Sequence, residues 1–268
     1  MAFPETERVV YERNTLEEVK CQIRFPPILT IENSTPGNFQ EKVAAFQESI
    51  RNEFPFYELR SSIKLPVGIP SAVSKVVERD LSLVGTNSHA FSSEDRNLVL
   101  ELTKDGLSLT CRQYERWERF RDKLDRALTS LAQIFQPSFY LHTCVRYKNS
   151  VRRKPLDIEQ TPWKRLLQPW VSGALNNSET EDEVEALEAR CRIRLPDGVG
   201  RVDAMYALGI HQPSKEAAFI IQAHVYHETK KELKDVLSQL DVLHWQARLF
   251  FRWCITEELH RAMRPGPV

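Results

Sequence analysis

The chain has no surplus of charge of either sign: 37 Lys+Arg face 37 Asp+Glu over 268 residues. A protein that coats DNA by bulk charge is disfavoured by that balance, because phosphate binding needs an excess of cations at least locally. Glycine is scarce, at 9 residues against 15 prolines, which excludes a collagen-like repeat. Cysteine is sparse, odd in number and scattered, at Cys21, Cys111, Cys144, Cys191 and Cys254, with no C-x-x-C. That pattern excludes a disulfide framework and a zinc ribbon, and fits a reducing, cytoplasmic setting. Long apolar runs are missing too. The longest uncharged stretch, 129–145, is broken by Gln133, Gln136, Pro137 and His142, and a membrane span needs about 20 mostly apolar residues. Met1 to Glu5 has neither a basic nor an apolar leader region, so no secretory signal is expected. The catalytic signatures G-x-S-x-G, the Walker loop, H-E-x-x-H and G-x-G-x-x-G are all absent.

What remains is the composition of a soluble globular protein, 41% hydrophobic and 28% charged, with room for one large domain or two smaller ones. Residues 1–18 are polar and read as a loosely held lead-in. From Val19 to Ile31 apolar residues alternate, with Cys21, Ile23 and Phe25 on one face and Gln22 and Arg24 on the other, which predicts a strand. Turn chemistry at 33–37 precedes a helix from Asn38 to about Glu53, carrying Phe39, Val43, Phe46 and Ile50 at helical spacing. Residues 60–90 show no clean period and read as a long connection, with room for a short strand. Asp105-Gly106 between alternating apolar runs predicts a hairpin. A helix over 112–135 follows, with Trp117, Phe120, Leu124, Leu128, Leu131 and Phe135 as its stripe, and then a strand over 139–151. The order βαββαβ is ferredoxin-like.

Strands near 185–195, 202–210 and 217–228 and a helix over 235–263 make the second half βββα. The fold class expected is therefore α+β: antiparallel sheets with long helices on one face. A boundary falls at the basic stretch, dividing an N-terminal domain, 1–154, from a C-terminal domain, 155–268, unless the two are continuous. Cys21-Gln22-Ile23-Arg24-Phe25-Pro26 and Cys191-Arg192-Ile193-Arg194-Leu195-Pro196 share C-x-I-R-x-P, a hint of duplication too short to establish one.

Charge is local where it is not global. Arg146, Lys148, Arg152, Arg153 and Lys154 fall within nine residues, and six acids fall within 179–188. Such a basic stretch could clamp phosphates while Tyr147 or Trp163 stacks a base. It could equally meet the chain's own acidic run. On a strand, Arg146 and Lys148 share one face and Tyr147 and Asn149 the other, so only one set can meet a given ligand. His224 and His227, three apart on a strand, point to opposite faces and are poorly placed to share a metal. No catalytic residue, metal or cofactor is expected. Trp245 lies off the apolar stripe of the last helix and suggests a second contact surface.

Val19-Lys20-Cys21-Gln22-Ile23-Arg24-Phe25-Pro26-Pro27, the helix start Arg112 to Phe120, Val145-Arg146-Tyr147-Lys148-Asn149 and the closing helix through Leu259, His260 and Met263 together resemble a sporadically distributed family of prokaryotic proteins with no established activity. The resemblance covers nearly the whole chain, and Arg24, Arg146, Tyr147 and Asn149 fall on the family's recurring positions. It implies a gene exchanged with phage-defence or stress loci and supplies no catalytic residue. The function expected is a non-enzymatic interaction or regulatory subunit with a protein partner and no membrane. The alternative is an RNA- or DNA-binding protein. Its binding residues would be Arg24, Arg146, Tyr147, Lys148, Asn149, Arg152, Arg153 and Lys154.

Overall fold

A computed structural model of the chain describes residues 3–28, 36–62, 86–177, 179–181, 183–211 and 213–267. Its organising element is a nine-stranded antiparallel sheet. In chain order the strands are β2 (Leu16–Arg24), β3 (Phe56–Ser62), β4 (Thr86–Ser92), β5 (Leu98–Thr103), β6 (Gly106–Cys111), β7 (His142–Arg152), β8 (Leu187–Arg194), β9 (Arg201–Ile210) and β10 (Ala217–His227). Across the sheet they stand in the order β3-β4-β5-β6-β2-β7-β10-β9-β8. A separate two-residue pair joins β1 (Val10–Tyr11) to β11 (Pro265–Gly266).

The helices are α1 (Pro36–Ile50), α2 (Trp117–Phe135), the single turns α3 (Trp163–Leu166) and α4 (Pro169–Ser172), α5 (Leu233–Cys254) and α6 (Glu257–Ala262). The stripe expected on α2 is buried from Trp117 to Phe135, each large side chain contributing about 1.5–3 kcal/mol of burial. α2 packs on α1, and α5 lies over β7 and β10. The core lies where α5 meets β7 and β10 and extends along the sheet. Cys21, Ile23, Leu100, Leu109, Val145, Val225 and Val202 supply the sheet side, all fully buried.

The chain is mixed α+β with an antiparallel sheet, and several details differ from the sequence reading. The first half is not βαββαβ. A further hairpin, β3–β4, stands between α1 and β5, and five strands of the large sheet precede α2. The aperiodic stretch 60–90 hid it, and residues 63–85 of that stretch lie outside the described ones. The turn expected at 33–37 also falls mostly outside them. The first strand runs from Leu16 to Arg24, starting and stopping earlier than read. The lead-in is anchored: Phe3 is buried against Phe250 and Trp253, and Glu12 and Arg13 donate backbone N–H to the carbonyls of Arg264 and Met263. The last helix breaks at Ile255, which is extended and bridges to Leu167. Thr256 then caps α6 by accepting from the Leu259 N–H.

The two halves share a plan. Each begins with a central strand (β2 or β7) and continues into a meander that ends beside that strand (β6 or β10). Each then closes with a long helix (α2 or α5). The C-x-I-R-x-P hexapeptides do not mark this repeat, because Cys21 lies in a central strand and Cys191 in the edge strand β8. At the expected boundary the sheet is uninterrupted: β7 pairs with β10 over ten residues, from Arg152 opposite Ala218 to Thr143 opposite His227. Among the described residues no helix is long and apolar enough to cross a membrane.

Gly200, between β8 and β9, shows where backbone shape is tightest. Its φ is +145°, and a Cβ there would stand 2.1 Å from the Tyr226 carbonyl oxygen. Gly200→Ala is expected to lower stability by about 2–4 kcal/mol through strain and displacement of β10. Gly209→Ala, where a Cβ meets nothing within 4 Å, should stay within about 0.5 kcal/mol of the parent. Urea unfolding midpoints of the two variants check this.

Candidate functional site: the two faces of the central strand

β7 lies fourth from one edge of the sheet, between β2 and β10, and the period of two sends its side chains alternately to opposite faces. Arg146, Lys148 and Arg152 project to the face away from the helices. Tyr147 and Asn149 project beneath α5 and are buried. The eight residues singled out from the sequence therefore do not form one site.

On the outward face the cations are matched. Arg146 pairs with Glu18 at 2.5 Å and Lys148 with Glu17 at 3.0 Å. A register shift between Leu16 and Glu18 places these two consecutive carboxylates beside β7. Farther out, Lys20 and Arg60 share Glu101, at 3.3 and 2.9 Å, and Arg192 grips Asp203 through two nitrogens at 2.6 and 2.9 Å. Arg24 pairs with Asp105 of the β5–β6 turn. Arg153 takes no part in this face. It lies over the Trp163 ring, 4.8 Å from its centroid, and donates to the Thr161 carbonyl. Lys154 opens a short 3-10 turn and is exposed. The acidic run does not neutralise the basic one: Glu181 pairs with Lys164, and Glu188 with Arg190.

His224 also faces outward, and His227 occupies the other side, as strand spacing requires. The sequence reading missed the ring beside His224. His142 and His224 both stack on Tyr226, with centroids 5.8 and 5.0 Å away. Burial holds both histidines below their ordinary range; for His224 the Asp203 carboxylate opposes the effect and Arg146 adds to it. Nothing in the linear sequence joins residue 142 to residue 224; only the β7–β10 register does. Among the described residues no group of three His, Cys, Asp or Glu side chains could hold a metal ion.

On the inward face Tyr147 and Asn149 reach a cleft between the two halves. Its walls come from the N-terminal segment, the start of α2, β7 and α5, and its water-accessible volume is about 130 Å³. Tyr147 Oη lies 2.7 Å from His244 Nδ1 and 3.4 Å from Tyr114 Oη. The His244 ring stacks flat on Trp117, 4.4 Å between centroids and 3° between planes. Trp117 Nε1 and Arg121 Nε both donate to Asp241 Oδ1, at 2.7 and 2.8 Å, which ties α2 to α5. Burial pushes His244 down to about 4, helped by the positive charges of Arg8 and Arg248 and opposed by Glu118 and Asp241. His244 is therefore neutral at pH 7. A neutral imidazole has one donor and one acceptor nitrogen. The Tyr147 hydroxyl holds the ring through Nδ1 and so fixes its orientation in the cleft.

No protein-family model matches the chain, and no curated protein matches it.

The depressed His244 value makes a signed prediction. The unfolded chain takes up this proton near pH 6.5, the folded protein only near 4, so stability from this group is complete above 6.5 and drains as pH falls to 4. The difference is worth about 3 kcal/mol. In urea titrations at pH 7.5 and pH 4.5, His244→Asn should lose less stability between the two than the parent does, by an amount of that order. Equal losses would mean that His244 is not buried neutral.

Proposed function

We propose that the chain is a non-enzymatic interaction protein that meets a protein partner on the sheet face away from the helices. α5 lies over β7 and β10 on the side where Tyr147 meets His244. The observation that carries this reading is the row of partly exposed ion pairs on the opposite side, from Lys20–Glu101 through Arg146–Glu18 to Arg192–Asp203. Nine strands at about 4.8 Å spacing make that face broad enough for a standard protein interface. Its charges alternate in sign and are already held in ion pairs such as Arg146–Glu18 and Arg192–Asp203. Such pairs contribute little to stability, about 0–1 kcal/mol each. They do present an ordered, mixed-sign pattern, which suits orientation of a polar protein surface. The phage-defence or stress setting implied by the family resemblance belongs to this reading as its context.

The nucleic-acid alternative loses support on two counts. Its stacking groups, Tyr147 and Trp163, are 8% and 7% exposed, too little to offer a ring face to a base. Its cations at 146 and 148 already have carboxylate partners, so phosphates would have to displace them.

Affinity-tagged protein expressed in its own host is expected to retain a partner at near-stoichiometric yield. Lys148→Glu combined with Arg192→Glu should abolish that retention. Arg119→Ala, on the exposed side of α2, should preserve it. If instead the purified protein binds a labelled oligonucleotide with an affinity that falls steeply with salt, and Arg152→Ala/Arg153→Ala/Lys154→Ala removes the binding, the nucleic-acid reading takes its place.

A further inference from the structure

The cleft on the inward side of β7 carries a chemistry that the outward face does not explain. Asn149 is 6% exposed. Its Oδ1 accepts from Thr15 Oγ1 at 3.2 Å, which leaves the Nδ2 donors for the cleft, where no acceptor among the described residues meets them. His244, held through Nδ1 by Tyr147, lines the same cleft. Two neutral polar groups thus border it, one from β7 and one from α5, each oriented by a second side chain.

The third wall group is Arg248. Its guanidinium donates to the backbone carbonyls of Glu7 at 2.8 Å and Thr6 at 2.9 Å, and stacks over Trp245 with 4.2 Å to the ring centroid. These contacts fix its position without neutralising it. Its Nε is buried and has no partner, and no described carboxylate pairs with it. The other charges of the wall largely cancel: Arg8 is matched by Glu118, Arg252 by Glu257 and Glu115 by Arg119. Arg116 and Glu7, of opposite sign, also line the cleft. Arg248 is a positive charge with no carboxylate partner among the described residues, beside two oriented neutral polar groups. Burial and the nearby charge of Arg8 both press its protonated form, a cost that an anion in the cleft would relieve.

Much of the rest of the lining is apolar or aromatic: Leu16, Trp117, Ala247 and Phe251. A positive charge without a carboxylate partner, oriented polar side chains and apolar walls describe the receptor for an amphipathic monoanion. A phosphate dianion would need further unpaired cations, whereas a carboxylate accepts at two oxygens and carries one charge. We propose that this cleft is a binding site for a small monocarboxylate with an apolar or aromatic body. The carboxylate is held by Arg248 and Asn149 Nδ2 beside the His244 ring, and the body lies against Trp117 and Phe251. The site sits between α2 and α5, so its occupancy bears on how the two halves close on each other. It is independent of the outward face.

The test uses the full chain with acetate, hexanoate, benzoate and phenylacetate as probes, and benzamide as the neutral match to benzoate. Affinity is read by calorimetric titration and by the chemical shift of the His244 ring protons. At least one of the three larger carboxylates should bind one-to-one and move the His244 resonances, with acetate and benzamide weaker by at least tenfold. Arg248→Met and Asn149→Leu should each weaken binding at least tenfold. Arg192→Ala on the opposite face should leave it unchanged. Should Arg248→Met fail to fold, Asn149→Leu and Arg248→Lys, which keeps the charge and loses the fork, carry the comparison. The proposal is overturned if none of the carboxylates binds, if benzamide binds as well as benzoate, or if the cleft variants bind as the parent does.

Discussion

Strands β2 and β7 meet antiparallel from Leu16 opposite Asn149 to Arg24 opposite His142, with Lys20 opposite Arg146 near the middle. This pairing joins the two β–meander–α halves into one sheet, since β6 adds to β2 on one side and β10 to β7 on the other. It also brings α2 and α5 close enough for Asp241 to receive Trp117 and Arg121. A one-residue slip would turn Cys21, Ile23, Val145 and Tyr147 out of the core together. The register is thus held by the whole apolar face, and every contact described for both candidate surfaces follows from it.

The same constraint explains why one short peptide serves two environments. Along 146–149 the backbone alternates, so Arg146 and Lys148 meet Glu18 and Glu17 in partial solvent while Tyr147 and Asn149 meet His244 and Thr15 in the interior. The outward contacts are ion pairs in water-like surroundings, weak and replaceable. The inward ones are hydrogen bonds among buried groups, for which a missing partner costs about 1–3 kcal/mol. Substitutions on the two faces of β7 should therefore differ in kind: outward ones alter recognition, inward ones alter stability and whatever the cleft holds.

What could be read in advance was what depends on local periodicity. The alternation at 21–25, the Asp105-Gly106 turn and the stripe of α2 follow from side-chain spacing, and so does the division of 146–149 between two faces. What could not be read depends on long-range register. β3 and β4 have mixed patterns because β3 is an edge strand with Tyr57 and Leu59 largely exposed, so no clean period marks them. The break at Ile255 is enforced by its bridge to Leu167, a contact 88 residues away in sequence. The acidic run could have met the basic stretch, but the bulge in β2 supplied Glu17 and Glu18 first. His142 joins His224, and His244 joins Tyr147, only once the strands and helices are in place.

The neutral net charge takes its meaning from the same geometry. Formal balance could have come from separate basic and acidic patches, with a strong field at each. On the outward face it comes instead from pairing at the level of single side chains on different strands: residues 18 and 146, 60 and 101, 192 and 203. Fields from such close pairs cancel within a Debye length, so this face steers no highly charged polymer from a distance and selects by local fit. The cleft is the exception, because Arg248 is held by two carbonyls and an indole where a carboxylate would ordinarily stand. A half-buried cation kept without its counter-ion is costly to maintain. Retaining one beside the oriented side chains of Asn149 and His244 departs from the charge pairing of the outward face, and it places the demand for an anion beneath the sheet.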